Sequence, residues 1–303
     1  MPAHDTLVSI GLPVRNGEQY VERALRSVLS QEYSRVELVI SDNASEDRTE
    51  EICREYARSD ERVRYYRQPE NIGLQRNFMQ VAALAKGEYF RWLGMDDWLD
   101  PAYTSRCLEV FAAVGPLILV TTQQAYVSDG GPSRSDAYTG DRLRSERPGE
   151  RFAEMLRLLN ESYLLMDPVY GLMRRAVLSR VRRPCLLYED EVLAARLALA
   201  GPFGHIPEIL AYRGFRSFTS LRRSALRLGV PVWHARVAML IECRELYRCV
   251  REASLDPSER RDAIAAIVAM YCRRHGQTVL RRGRKLAGIC RSHMALARGE
   301  VVE

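Results

Sequence analysis

The chain has 303 residues, 47% of them hydrophobic and 28% charged, with a formal net charge of +6 at pH 7. That is the composition of a soluble globular protein with one large α/β domain, alone or with an appendage, and no apolar stretch reaches the roughly 18–20 residues of a membrane span. The seven cysteines are scattered with no CxxC pair, which excludes a disulfide framework or zinc site. Free thiols, and no basic-then-apolar leader at Met1–Asp5, give a cytoplasmic expectation.

The first 120 or so residues alternate strand and helix signals. Leu7–Pro13 reads as a short strand, followed by a helix with Tyr20, Val21, Leu25, Val28 and Leu29 on one face. Val36–Ile40 is a second buried strand. It runs into the polar turn Ser41-Asp42-Asn43-Ala44-Ser45, which is rich in helix-capping residues. A helix carrying Ile52 and Tyr56 leads to a third strand, Val63–Tyr66, and a turn, Pro69–Gly73. The next helix places Phe78, Val81, Ala82 and Ala85 together, and a fourth strand, Tyr89–Leu93, ends at Asp96-Asp97. This order predicts an α/β fold with a mostly parallel central sheet flanked by helices. Ligands bind beyond the carboxyl ends of such strands, where Arg15, Asp42, Asp96 and Asp97 all stand.

Ser128–Gly149 is polar and rich in Gly, Pro and Ser, as in a loop or lid. A helix over about Glu150–Leu159 follows, then Tyr170–Met173 and an acidic cluster, Tyr188-Glu189-Asp190-Glu191. That cluster opens a helix, so its bland reading is a first turn complementing the helix dipole. From Leu221 the chain reads as helical, giving a division into 1–220 and a helical C-terminal extension, 221–303. This last part carries 17 Arg plus Lys against 8 Asp plus Glu, while the remainder carries 28 against 31. Ile264, Ile267, Val268 and Tyr271 form an apolar stripe there. Packing within the chain, a homodimer contact and peripheral contact with an anionic membrane, at its inner face, are the readings of this region. Nucleic-acid binding rests on the charge alone and is not expected.

Two adjacent carboxylates at a strand exit repel each other and call for a cation or a shared proton. A divalent metal bridging to phosphate supplies one, and a solvated loop is the alternative. Neither GxGxxG nor GxxxxGK[ST] follows a strand, which excludes a Rossmann dehydrogenase and a P-loop NTPase. Arg15-Asn16-Gly17 is too sparse for the phosphate loop of a nucleotidyltransferase.

The ordered stretches Val8–Asn16, Ser41–Thr49, Asn71-Ile72-Gly73, Ala85–Tyr89, Asp96-Asp97 and Glu189-Asp190 resemble a family 2 glycosyltransferase of the GT-A type over about residues 7–216. The resemblance implies an inverting, metal-dependent transfer of a sugar from a nucleoside diphosphate sugar, UDP- or dTDP-type, to an acceptor hydroxyl. The acceptor, whether saccharide, lipid-linked or natural product, stays open. By the resemblance, Pro13, Val14 and Arg15 lie against the nucleotide, Asp42 hydrogen-bonds its base, and Asn71, Gly73 and Arg76 approach the donor. Asp97 binds the metal, Mg²⁺ or Mn²⁺, with Asp96 on the ribose or a metal-bound water. Gly94 stands where the family's first motif aspartate would be. Asp190, or its neighbour Glu189, is the base that deprotonates the acceptor. Phe215 replaces the histidine that often follows a Tyr-Arg pair, so Arg213 or Arg216 becomes the candidate positive charge, with His205 structural. A relative that binds nucleotide sugar or carbohydrate without catalysis is the alternative reading.

Overall fold

A computed structural model describes residues 5–127, 133–138, 140–162, 168–214 and 220–297, with side chains as far as Thr278. Phe215, Arg216 and part of the Ser128–Gly149 loop expectation (residues 128–132 and 139) lie outside the described residues.

Strands β1 (Val8–Val14) and β2 (Val36–Asp42) are buried at every residue, as apolar runs covered on both faces should be. Helix α1 (Val21–Leu29) connects them and buries Val21, Ala24, Leu25 and Val28. The chain continues through α2 (Thr49–Ser59), β3 (Val63–Arg67), α3 (Leu74–Leu84), β4 (Tyr89–Trp92), the two-residue β5 (Trp98–Leu99) and α4 (Tyr103–Ala113). Then come β6 (Leu119–Val127), α5 (Pro148–Glu161), β7 (Leu172–Arg174), α6 (Arg175–Leu178), α7 (Glu189–Ala200) and β8 (Phe203–Gly214). The last elements are α8 (Leu221–Leu228), α9 (His234–Glu252) and α10 (Pro257–Ala297).

One sheet holds all eight strands in the order β3-β2-β1-β4-β7-β6-β8-β5. The β3-β2-β1-β4 half is parallel throughout, and so is β6 with β8. The sheet is mostly parallel, as expected, and only β7, antiparallel to both β4 and β6, and β5, antiparallel to β8, run the other way. Strand order reverses at β1, whose neighbours are β2 and β4, and this opens a crevice at their carboxyl ends.

One core packs Val21, Leu25, Cys53 and Phe111 against one sheet face; a second packs Phe78, Val81, Met155, Leu193 and Leu197 against the other. A third core joins Phe152, Leu156 and Val192 to Leu246, Val250, Ile267 and Met270, so the C-terminal helices share apolar surface with α5 and α7. The packed stripe of α10 is Ala263–Ile267–Met270, while Val268, grouped with Ile267 by the sequence pattern, is 56% exposed. No helix among the described residues is long and apolar enough to cross a membrane.

Candidate functional site

A cavity of ≈ 680 Å³ opens at the switch point. Pro13, Val14, Arg15, Asn71, Gly73, Asp96 and Asp97, all singled out from the sequence, line it. Asn43, Asn77, Phe78, Met95, Tyr126, Tyr170, Arg213, Leu226 and Arg227 also line it, and of these only Arg213 was anticipated. Asp42, Arg76, Glu189 and Asp190 are not on its wall.

The β1 side is held by Arg15. Its guanidinium donates to the carbonyls of Asn43 (3.0 Å) and Ala44 (3.3 Å) and pairs with Glu46 at 2.8 Å. Asn43 in turn donates Nδ2–H to Asn71 Oδ1 at 2.8 Å, and its Oδ1 accepts from the Ile72 N–H at 2.8 Å. Asn71 Oδ1 also accepts from the Gly73 N–H at 3.0 Å. These bonds fix the turn that starts α3. Gly73 sits at φ +87°, a conformation that favours glycine, and nothing lies within 4 Å of where a Cβ would be. Asn77, one turn along, donates to the Ser41 carbonyl at 2.9 Å and accepts from Ser41 Oγ at 2.7 Å, tying α3 to the end of β2. The amino end of α3 therefore faces the cavity, where unpaired N–H groups favour an anion.

Asp42 is fully buried, and both of its oxygens are occupied. Oδ1 accepts from the Ser45 N–H (2.8 Å) and Ser45 Oγ (2.5 Å); Oδ2 accepts from Tyr65 Oη (2.7 Å) and Arg67 Nη1 (3.1 Å). Four donors saturate the lone-pair directions of a carboxylate, so contact with a nucleotide base would require one of them to leave. Arg76 is exposed on the first turn of α3 and makes no hydrogen bond or ion pair among the described residues.

The Gly94–Asp97 turn follows β4 and is closed by the Asp97 N–H donating to the Gly94 carbonyl at 3.1 Å. Asp97 is 4% exposed. Its Oδ1 accepts from the Gly214 N–H at 3.1 Å, and Oδ2 lies 3.6 Å from Arg213 Nε. Burial pushes its carboxyl above the usual range, against the pull of Arg213. A Cβ on residue 94 would stand 2.5 Å from Asp97 Oδ2 and 3.4 Å from Asp96 Oδ1. Glycine there is what lets both carboxylates turn to the same side. Arg213 reaches this place because β5 pairs with β8, a register sealed by Trp98 stacking on Tyr212 at 5.2 Å. The Arg213 guanidinium also rests 3.9 Å over the Tyr170 ring.

Among the described residues no group of three or more His, Cys, Asp and Glu side chains converges as a metal site. Asp96 and Asp97 still suit a hard divalent cation: two carboxylates face one way, and one of them is buried with too little positive charge. Mg²⁺ is commonly held by one or two carboxylates plus substrate phosphates. His205 is buried on β8 with Nδ1 2.9 Å from Thr121 Oγ1, a core histidine away from the cavity wall.

At the start of α7 the two acidic candidates differ sharply. Glu189 is held by Arg183 through two bonds, Nε to Oε2 at 2.5 Å and Nη2 to Oε1 at 2.7 Å, with both side chains nearly buried. Both Glu189 oxygens are thereby engaged by the guanidinium. Asp190 is exposed, and its Oδ1 accepts from the Glu191 N–H at 3.0 Å. It lies within electrostatic reach of Arg183, whose guanidinium stacks 4.8 Å over Phe78 of the cavity wall.

The model of the family described as "Glycosyl transferase family 2" matches residues 9–182. Glycosyltransferase GlyA of Streptococcus pneumoniae serotype 4 is 32% identical over 99 residues, 33% of this chain and only 14% of that protein. Among solved structures, S. aureus TarS 1-349 in complex with UDP-GlcNAc superposes with a TM-score of 0.61 at 15% identity, covering 88% of this chain and 72% of that one. Mannosyltransferase PcManGT from Pyrobaculum calidifontis, in complex with GDP-Man and Mn²⁺, gives 0.56 at 15% identity, covering 94% and 81%. At that identity the likeness is one of fold.

Proposed function

The chain belongs to glycosyl transferase family 2, and we propose that it transfers a sugar from a nucleoside diphosphate sugar to an acceptor hydroxyl with inversion. The observation that carries this reading is one cavity bounded by both the Asp96–Asp97 turn and the amino end of α3. That pairing suits a diphosphate: helix N–H groups receive the anion, while carboxylates hold a cation against it.

In this reading Pro13, Val14 and Arg15 border the nucleoside, and Asn43 faces it, held by Arg15 and Asn71. UDP- and dTDP-sugars are the favoured donors. Asn71, Gly73 and the start of α3 take the diphosphate, with Arg213 as a nearby cation. Asp97 and Asp96 would hold Mg²⁺ or Mn²⁺, which when bound neutralises charge on the leaving diphosphate. Asp190 accepts the proton of the acceptor hydroxyl. The hydroxyl oxygen bonds to the anomeric carbon as the carbon–oxygen bond to the diphosphate breaks, from the opposite face. Tyr126 and Tyr170 line the same cavity and offer flat surfaces to a sugar ring.

Calorimetry with UDP, dTDP and GDP, each with and without Mn²⁺, tests the donor side. Micromolar binding of a uridine or thymidine diphosphate that weakens at least tenfold without metal is the expected result. No heat and no thermal shift with any of the three would remove the reading.

A further inference from the structure

The 33 residues from Ile209 to Ile241 contain six arginines and no Asp or Glu, so this stretch alone carries the chain's whole formal excess of +6. Helix α8 lies within it. Ala225 is buried on one side of α8 and packs with Leu187, while Arg222, Arg223, Leu226 and Arg227 share the exposed side. The connection into α9 then presents Val232 and Trp233, and Arg236 is exposed one turn on. Leu226 is 64% and Trp233 60% exposed, unusual values for large apolar side chains. None of the four exposed arginines makes an ion pair among the described residues. Leu226 and Arg227 also line the cavity, so this surface borders its mouth.

We propose that the exposed side of α8, together with Val232, Trp233 and Arg236, is a docking surface for an anionic lipid bilayer. Guanidinium groups meet the headgroup charge while leucine, valine and tryptophan enter the interface, where indole rings prefer to sit. A soluble polyanion would use the arginines and leave the apolar residues between them in water. Docking in this way sets the cavity mouth against the headgroups. The surface stands on its own residues and does not depend on the transfer chemistry.

The test is sedimentation of the full chain with vesicles of phosphatidylcholine alone or mixed equally with phosphatidylglycerol. Binding to the anionic vesicles should exceed neutral binding at least tenfold and fall at high salt. Arg222→Gln, Arg223→Gln and Arg236→Gln together should cost about 100-fold in partition, at about fivefold per arginine. Brominated lipid should quench the tryptophan emission, and Trp233→Phe should abolish that quenching, since Trp92 is buried and Trp98 half-buried under Tyr212. The quenching needs no arginine variant, so a variant that folds poorly leaves the test intact. Equal binding to neutral vesicles, unchanged binding by the triple variant, or binding to dextran sulfate with no bilayer quenching would each overturn the proposal.

Discussion

Glu189→Gln and Asp190→Asn should separate stability from transfer, although the two residues are adjacent. Arg183 and Glu189 form two hydrogen bonds with side chains only 6% and 11% exposed. The guanidinium is boxed by Phe78 at 4.8 Å and Trp92 at 5.3 Å, so it has no route back to water. Removing one partner of a buried pair costs about 3–5 kcal/mol; glutamine keeps one acceptor, and the expected loss is about 2–3 kcal/mol. Asp190 is exposed, and replacing its charge in the first turn of α7 should cost about 0.5 kcal/mol. As the proposed base, its loss should cut transfer by about 10²–10⁴-fold with donor binding unchanged. Urea unfolding at pH 7, donor calorimetry and product formation on both variants make the comparison. An Asp190→Asn enzyme turning over within threefold of wild type would refute the base assignment. So would a Glu189→Gln enzyme that loses transfer at an unchanged urea midpoint.

Gly94→Asp restores the third carboxylate of the family motif, yet its Cβ would meet Asp97 Oδ2 at 2.5 Å. Calorimetry should show Mn²⁺-dependent nucleotide binding weakened more than tenfold, with stability lower by about 2 kcal/mol. Arg213→Ala leaves Asp97 buried without its cation at 3.6 Å, an attraction of about 4–5 kcal/mol at an effective dielectric of 20 before desolvation is counted. A net loss of about 2 kcal/mol and at least tenfold lower kcat is expected, with Arg213→Lys recovering part of each. Burial lowers His205 from its ordinary 6.5 to about 4, so the unfolded chain binds its proton first. The resulting stability is complete above pH 6.5 and is lost as pH falls toward 4, about 3 kcal/mol in all. Urea midpoints of His205→Gln should be correspondingly flatter over that window.

The parallel half of the sheet was legible because buried parallel strands read as unbroken apolar runs, and the turns after them fall at the crevice. Pro13, Arg15, Asn71 and the aspartate pair reached the cavity wall for that reason. Asp42 has the same position past a strand end, but its saturation comes from Tyr65 and Arg67 on β3, through the register that pairs Asp42 with Arg67. A local pattern does not report a cross-strand donor. The antiparallel half was harder to read. β5 has two residues, and the middle of β6 is Thr121-Thr122-Gln123-Gln124, all buried, with register shifts against β8 at Thr122/Gln123 and Gln123/Gln124. Arg213 and Gly214 meet Asp97 only because that ladder closes. The sequence trace of the contact was the Tyr212-Arg213 pair, where Arg213 stood as a candidate positive charge; the stacking of Tyr212 on Trp98 was not legible.

Asp190 also depends on elements far along the chain. Arg274 of α10 donates to Glu191 at 2.5 Å, to both oxygens of Glu242 on α9 at 3.1–3.2 Å, and to Asn160 Oδ1 at the end of α5 at 2.6 Å. One guanidinium thus serves two carboxylates, and burial, with Glu191 beside it, pushes the Glu242 carboxyl up to about 9. Glu191 follows Asp190 directly, so the first turn of α7 is pinned from α10 as well as by the Arg183–Glu189 pair against Phe78 and Trp92. Val192 and Ala195, further along α7, enter the apolar core that Leu246, Ile267 and Met270 complete. The C-terminal helices are in this sense part of the support of the proposed base, and the half-buried Arg274 makes that support directional where apolar packing alone would let α7 rotate.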